Sequence, residues 1–494
     1  MPHMSYKEYL TANSDDSKVF RKETEIPVEF DKRNEFFIDP KSRKYDKQYF
    51  SMYQYRLSHL KERVISNAME KWGNCTREID GQKIVKQDKI LDIQSGKLCW
   101  VVGTVFCDAK YKLNILSDVE KGTDDILPLV PARYVSDEDQ PIVMLEDESG
   151  RAVLHNEEFL KKNLLVTGCI VGVLGIEIQA GIFEIMDVVY PKCAPQKPLK
   201  THGNGNVSGD VDVDVGAGRV AIVSGLNIGV AGNYDLKIEL LKQYLIGELG
   251  ADVDKSFSSE ISQLVVAGNS IEPIRDITAE EDLKNFVTTN NYGSKNITKY
   301  TTESLKQLDQ FISEVVVSLP VAIMPGDHDP AEISLPQQPL HKSIFNTNRA
   351  ILGSDRLQRL TNPVWLEMNG VRILGTSGQN VDDVKKYITT EAGAESSLSM
   401  RVMKSSMKWQ NFVPTAPDTL YCYPYDDYDP FIFTSELPHV YFVGNQDKYA
   451  IDTYTCEDSG AKVRLISVPD FKSSGEFVIL NVGTLETEVV KIKV

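Results

Sequence analysis

Val315-Val316-Val317-Ser318-Leu319-Pro320-Val321-Ala322-Ile323-Met324 runs straight into Pro325-Gly326-Asp327-His328-Asp329, and this stretch decides the fold. A run of β-branched and aliphatic residues closed by a Gly turn predicts a buried strand that delivers polar side chains at its end. The pattern recurs along the C-terminal half. Val220 to Val223 leads into Ser224-Gly225-Leu226-Asn227-Ile228-Gly229, Gln263 to Ala267 into Gly268-Asn269-Ser270, and Val440 to Val443 into Gly444-Asn445-Gln446-Asp447. Val371 to Leu374 is a further apolar run, and Leu236 to Leu249 carries a helical period between two of the strands. Residues 219–494 therefore read as a layered α/β domain, in which ligand chemistry belongs at the strand ends.

Outward from that domain the character of the chain changes. Residues 201–218, rich in Gly, Asn and Asp, form a linker or disordered loop; their alternating Asp and Val lack the Gly turn and terminal Glu of a calcium loop. Between Lys97 and Cys193 the period is that of strands: Cys99 to Phe106, Ile142 to Leu145, Arg151 to Leu154 after the turn Glu148-Ser149-Gly150, Leu164 to Leu174, and Gly181 to Tyr190. About five strands in roughly 100 residues suit a small Greek-key barrel of the OB type. Ahead of them Phe50, Tyr53, Leu57, Leu60 and Val64 recur every three or four residues, which predicts an amphipathic helix from Asp46 to about Trp72. Residues 41–200 are thus a helix plus barrel domain. Residues 1–40 are polar, charge-dense and aperiodic, the pattern of a flexible arm, and about 390–406 reads as a mobile insertion in the last domain.

Composition bounds the function. The 494 residues hold 54 Lys and Arg against 71 Asp and Glu, a net charge of −17 that opposes independent adhesion to nucleic acid or anionic lipid. Residues 97–193 alone hold 9 basic and 16 acidic residues, so the barrel lacks the positive groove of a single-strand binder and is read as a protein-contact module. The longest uncharged apolar stretch, Leu164 to Ile176, is short of the ~20 residues of a membrane span, and the N-terminus lacks the apolar core of a secretory signal. An intracellular protein without a membrane partner is expected. Seven cysteines, odd in number and never spaced as C-x-x-C, read as buried free thiols. His59, His155, His341 and His439 have no His or Cys at ligand spacing and read as hydrogen-bonded structural residues.

In order and position, the four strand ends resemble the calcineurin-like metallophosphoesterase pattern D-x-H, G-D, G-N-H-D/E and G-H-x-H. A two-metal centre needs carboxylates and imidazoles to balance two divalent cations, and neutral amides do not. Carried over position by position, the resemblance puts Gly225 and Asn227 where the first motif has Asp and His. Asn269 stands for the second motif's Asp, Asp327 for the third motif's Asn, and Asn445 and Asp447 for the last two His. Every aligned ligand position is altered, so no metal, cofactor or catalytic residue is expected. What survives is the pair His328 and Asp329, read as a hydrogen-bonded turn in a degenerate site rather than as an acid. Asp327 and Asp447 remain as two carboxylates for a stray cation.

An inactive phosphoesterase-like domain behind an OB-fold resembles the B-subunits of replicative B-family DNA polymerases. Met144-Leu-Glu-Asp-Glu-Ser-Gly-Arg151, Leu335-Pro-Gln-Gln-Pro-Leu-His341, Ala416-Pro-Asp-Thr-Leu420 after Val413-Pro-Thr, and Tyr49-Phe-Ser-Met-Tyr-Gln-Tyr-Arg-Leu57 are similar to the DNA polymerase delta small-subunit family. The resemblance covers the chain from about residue 45 to its end. It implies an α+β multidomain fold and a non-catalytic scaffold in the nucleus, serving replication and repair synthesis. The implied partners are the C-terminal metal-binding domain of the catalytic subunit and a third small subunit, with DNA reached only through the complex. The alternatives are a B-subunit of polymerase epsilon or alpha, an active metal-dependent phosphodiesterase, or an autonomous single-strand-binding barrel. Tyr421, Tyr423, Tyr425 and Tyr428 are candidates for core packing or for an interface alike.

Overall fold

The computed structural model describes the chain except residues 1–28, 31–34, 46–47, 113–131, 137, 200–217, 230–234, 274–299, 348–355, 389–396 and 427. The linker expected at 201–218 lies outside the described residues except for Gly218. No described helix is long and apolar enough to cross a membrane.

A two-residue strand β1 (Glu29–Phe30) and a long helix α1 (Phe50–Lys71) precede the barrel strands β2 (Val85–Lys86), β3 (Leu98–Asp108), β4 (Ile142–Glu146), β5 (Arg151–His155), β6 (Ile170–Gln179) and β7 (Ile182–Val189). These pair in the order β2-β3-β4-β5-β7-β6, and β3 returns to pair with β6 from Leu98–Ile176 to Thr104–Ile170, which closes the sheet on itself. Closure removes the free edges that a short, strongly twisted sheet would otherwise expose. The inward residues Val101, Val105, Leu145, Leu154, Phe183 and Ile185 are buried.

The C-terminal half is a sandwich of two six-stranded sheets. The first takes β8 (Arg219–Val223), β9 (Ile261–Ala267), β10 (Val321–Met324), β11 (Leu357–Arg359), β17 (Glu476–Asn481) and β18 (Thr487–Lys491) in the order β11-β10-β9-β8-β17-β18. The second takes β1, β12 (Val364–Met368), β13 (Val371–Thr376), β14 (Val440–Gln446), β15 (Ala450–Thr455) and β16 (Lys462–Pro469) in the order β1-β12-β13-β14-β16-β15. The middle strands of each sheet are parallel, and parallel strands covered on both faces read as continuous apolar runs. Between the sheets lie Val220, Ile222, Val265, Met324, Leu366, Ile373, Phe442 and Ile466. Helices α2 (Leu236–Ile246) and α3 (Thr302–Ser318) cover the outer face of the first sheet. Helices α4 (Gln379–Lys385) and α5 (Leu398–Trp409), together with the barrel, cover that of the second.

Four expectations need correction. The run from Val315 to Met324 is not one strand: α3 extends through Ser318 and β10 starts at Val321, because Pro320 cannot continue a helix and biases Leu319 to extended backbone. The mobile insertion does not reach residue 406. Residues 389–396 are outside the described set, but α5 starts at Leu398 and buries Met400, Val402, Met403, Met407 and Trp409. The N-terminal arm is not structureless to residue 40, since β1 pairs with β12 and Phe36 is fully buried against the rings of Phe412 and Phe431. Finally, the buried face of α1 keeps Leu60 and Val64 of the expected stripe but not its N-terminal part. It holds Met52, Arg56, Leu60, Val64 and Ala68, while Phe50 is 67% exposed.

The barrel and the sandwich share one core. Arg56, fully buried, donates from Nε to Asp429 Oδ2 at 2.7 Å and from its two terminal nitrogens to the carbonyls of Pro414 (2.9 Å) and Ala416 (3.0 Å). Gly168 sits beside this joint at φ +88°, and a Cβ there would lie 2.0 Å from the Pro414 carbonyl oxygen. Only glycine meets both demands. The segments Leu335–His341 and Ala416–Leu420 are brought to the same region: Leu335 N–H donates to Tyr421 O at 2.9 Å and Tyr423 N–H to Leu335 O at 2.7 Å. Tyr423, Tyr425 and Tyr428 meet edge to face in sequence and touch Tyr45 and Tyr55 in the same way, so these three pack within the chain, while Tyr421 is exposed.

Candidate functional site

The C-terminal ends of β8, β9, β10, β14 and β16 converge, and their turns are shaped by asparagines. Asn227 (φ +43°), Asn269 (φ +53°) and Asn445 (φ +56°) all occupy the left-handed region. Among residues with a side chain, Asn tolerates that conformation well because its short amide can hydrogen-bond locally. Asn227 donates from Nδ2 to Asp470 Oδ2 at 2.7 Å. Asn269 Oδ1 accepts the backbone N–H of His328 at 3.0 Å. Asn445 donates to Ser377 O at 2.6 Å and Ala267 O at 3.2 Å, and its buried Oδ1 has no partner. The three amides thus knit the ends of six strands, β8, β9 and β10 of the first sheet and β13, β14 and β16 of the second.

Two charged residues that the motif pattern did not single out stand at the centre. Asp470 follows β16 directly, and its carboxylate takes up the space in front of Gly225: a Cβ at position 225, where φ is +65°, would lie 2.1 Å from Asp470 Oδ2. Lys472 donates to the Asn227 carbonyl at 2.9 Å and forms an ion pair with Glu272. The rule that chemistry sits at strand ends would have found Asp470. Lys472 had no signal, because it lies two residues further on, inside the short helix that follows the strand.

His328 and Asp329 are not joined in a pair. Asp329 is buried and its carboxylate accepts the N–H groups of Ser270 (2.8 Å), Ile271 (3.1 Å) and Gly326 (2.8 Å). Burial pushes its pKa from 3.8 up to about 6, against the opposing pull of these backbone donors. It clamps the β9 and β10 turns together. The His328 ring is half-exposed, with Nδ1 3.5 Å from Asn227 Oδ1. Asp327 is exposed, and the Asp447 side chain is 88% exposed with Lys385 Nζ 3.8 Å away. Neither belongs to a cluster of three metal-ligating groups; among the described residues the one such cluster is Cys193, Cys456 and Asp458, elsewhere in the molecule.

The remaining histidines have other partners. His59 stacks on Tyr55, His155 meets Glu184, and His341 Nδ1 accepts the Ser343 N–H at the start of a single 3-10 turn. His439 accepts the Arg372 N–H at Nδ1 (2.9 Å) and contacts Lys197 O through Nε2 (2.7 Å), while burial holds its pKa below the ordinary histidine value.

Two family models match in succession. Residues 48–188 match the DNA polymerase delta subunit OB-fold domain, and residues 220–451 match the B-subunit family of DNA polymerase alpha/epsilon. A closed barrel followed by this sandwich, matched in that order, defines the B-type accessory subunits of DNA polymerases. Over 488 residues the chain is 35% identical to the DNA polymerase delta small subunit of Saccharomyces cerevisiae, covering 94% of this chain and 93% of that protein. The small subunit of the same name from Oryza sativa is 36% identical over 397 residues, or 80% and 84% of the two chains. A more distant relative is the DNA polymerase II small subunit of Methanothermobacter thermautotrophicus, at 21% identity over 370 residues and 73% and 68% coverage. The chain belongs to the DNA polymerase delta small-subunit family, accessory chains of a DNA-replicating polymerase.

Proposed function

We propose that the chain is a non-catalytic scaffold of DNA polymerase delta. It holds the C-terminal metal-binding domain of the catalytic subunit, recruits a third small subunit, and acts in the nucleus in replication and repair synthesis. The sandwich is in this reading a calcineurin-like phosphoesterase fold that has lost its metal centre. DNA is reached through the other subunits, in keeping with the net charge of −17.

The observation that carries the reading is the chemistry at the strand ends. A pair of divalent cations needs anionic and imidazole donors at fixed places. At those places Gly225 has no side chain and no room for one beside Asp470, and Asn227 turns an NH2 group toward Asp470. Asn445 likewise donates to two carbonyls, and the nearby cation is the fixed ammonium of Lys472. These residues do not fit a two-metal centre. They suit a locked structural turn cluster that holds the two sheets in register behind a binding surface.

The test is co-expression of the chain with the isolated, folded and metal-loaded C-terminal domains of the delta, epsilon and alpha catalytic subunits, followed by pull-down and sizing. A stable equimolar complex with the delta domain alone is expected. Failure with all three would remove the scaffold reading, and metal-dependent phosphodiester hydrolysis lost on His328→Ala would replace it with the enzyme reading.

A further inference from the structure

The segment that leaves the barrel after β7 runs along the sandwich as a strap. Lys192 O accepts from Arg63 Nε (2.7 Å), Ala194 N–H donates to Gln410 Oε1 (2.7 Å), Pro195 O accepts the Leu437 N–H (2.8 Å), and Gln196 donates to Pro438 O (2.9 Å) and Lys462 O (2.7 Å). Cys193 lies in the middle of this strap, and its N–H donates to Asp458 Oδ2 at 2.7 Å. Cys456 lies in the turn between β15 and β16, and the sulfurs of Cys193 and Cys456 are within 4.8 Å of one another. Cys193 is half-buried and Cys456 is buried.

We propose that Cys193 and Cys456 form a redox-modification site, a dithiol that a small-molecule disulfide of the glutathione class oxidises to a disulfide joining the barrel's strap to the sandwich. The other cysteines are unsuited to such a role. Cys99, Cys107, Cys169 and Cys422 are buried, which pushes the first two and the last up to about 12 and Cys169 higher still, and Cys75 stands alone on the surface. The Cys193–Cys456 pair differs. The hydrogen bond between the two thiols draws Cys456 below its ordinary value against the effect of burial, with Ser459 and the Arg63 charge assisting, and it pushes Cys193 up. A pair that shares a proton in this way forms its thiolate, the reactive form, more readily than the other buried cysteines do.

The chemistry balances as a two-step exchange. The oxidant reaches the accessible Cys193, whose proton passes to Cys456 as its sulfur attacks the small disulfide. That S–S bond breaks, a mixed disulfide forms on Cys193, and one small thiolate leaves. Cys456, giving its proton to that thiolate, then attacks the Cys193 sulfur, and the second small thiolate leaves and takes from solvent the proton that the pair released on forming its thiolate. Two protein thiols lose two electrons and the small disulfide becomes two thiols. The bond formed ties together segments distant in sequence, which restricts the unfolded chain and raises thermal stability.

The full-length chain is incubated with glutathione disulfide, quenched by alkylation and digested without reductant. A peptide pair joining Cys193 to Cys456 in most molecules is expected, together with a rise of several degrees in the melting midpoint that reductant reverses. Cys456→Ser should trap glutathione on Cys193, and Cys193→Ser should leave Cys456 unmodified. Recovery of the two cysteines as separately alkylated peptides from oxidised, folded wild type overturns the proposal. So does a stoichiometric metal ion that shields both thiols from alkylation and oxidation, since the cluster with Asp458 would then be a metal site.

Discussion

Asp329 shows how a carboxylate at a strand end can serve structure. Its carboxyl accepts backbone N–H groups in a buried turn, and burial raises its pKa to about 6 from an ordinary 3.8. The neutral form is therefore the one the fold favours. That contribution is complete below 3.8 and is lost as pH rises through about 6, an effect of about 3 kcal/mol over the interval. Unfolding free energies of wild type and Asp329→Asn across this range should show the wild type losing ground to the variant as pH rises. A difference that grows in favour of the wild type would mean that the N–H donors outweigh burial.

At the scale of elements, α1 tests which face carries stability. The three- and four-residue spacing made the helix plain but drew its stripe through Phe50, Tyr53, Leu57, Leu60 and Val64, of which only Leu60 and Val64 are buried. The structure buries the row Met52, Arg56, Leu60, Val64 and Ala68, because the barrel and the turn around Asp429 together enclose a charged residue that no apolar pattern would place inside. Leu60→Ala should cost about 2–5 kcal/mol in urea unfolding. Phe50→Ala should stay within about 0.5 kcal/mol; comparable losses would restore the stripe read from sequence. The strand ends were legible for a related reason: each apolar run stops at a Gly or Asn turn, and that punctuation is local. Asp470 is legible as a strand-end residue, but its place in the cluster, and Lys472 altogether, are not, since the pairing of β14 with β16 brings them there.

For the whole molecule, the shared core and the buried Arg56–Asp429 contact predict that barrel and sandwich unfold together. Hydrogen exchange pulsed along a urea titration should give the same midpoint for peptides covering β3 and β14. Arg56→Ala leaves Asp429 buried without its counter-charge and two carbonyls without this donor, and should lower both midpoints equally, at a cost of about 3–5 kcal/mol. Two separate midpoints in wild type would mean independent domains.

The amino-acid sequence by itself determined the order of a helix, a barrel and an α/β layered domain, the Gly and Asn turns at the strand ends, and the family. These follow from periodicity, turn residues and residue chemistry, all local along the chain. The tertiary structure alone decided that Phe36 is anchored, that α5 is packed where an insertion was expected, that Asp470 takes the place in front of Gly225, and that Cys193 meets Cys456. Those facts depend on which distant segments share a sheet edge or a joint. A run of residues specifies the face it must bury, but the identity of what buries it is set by the topology of the whole chain.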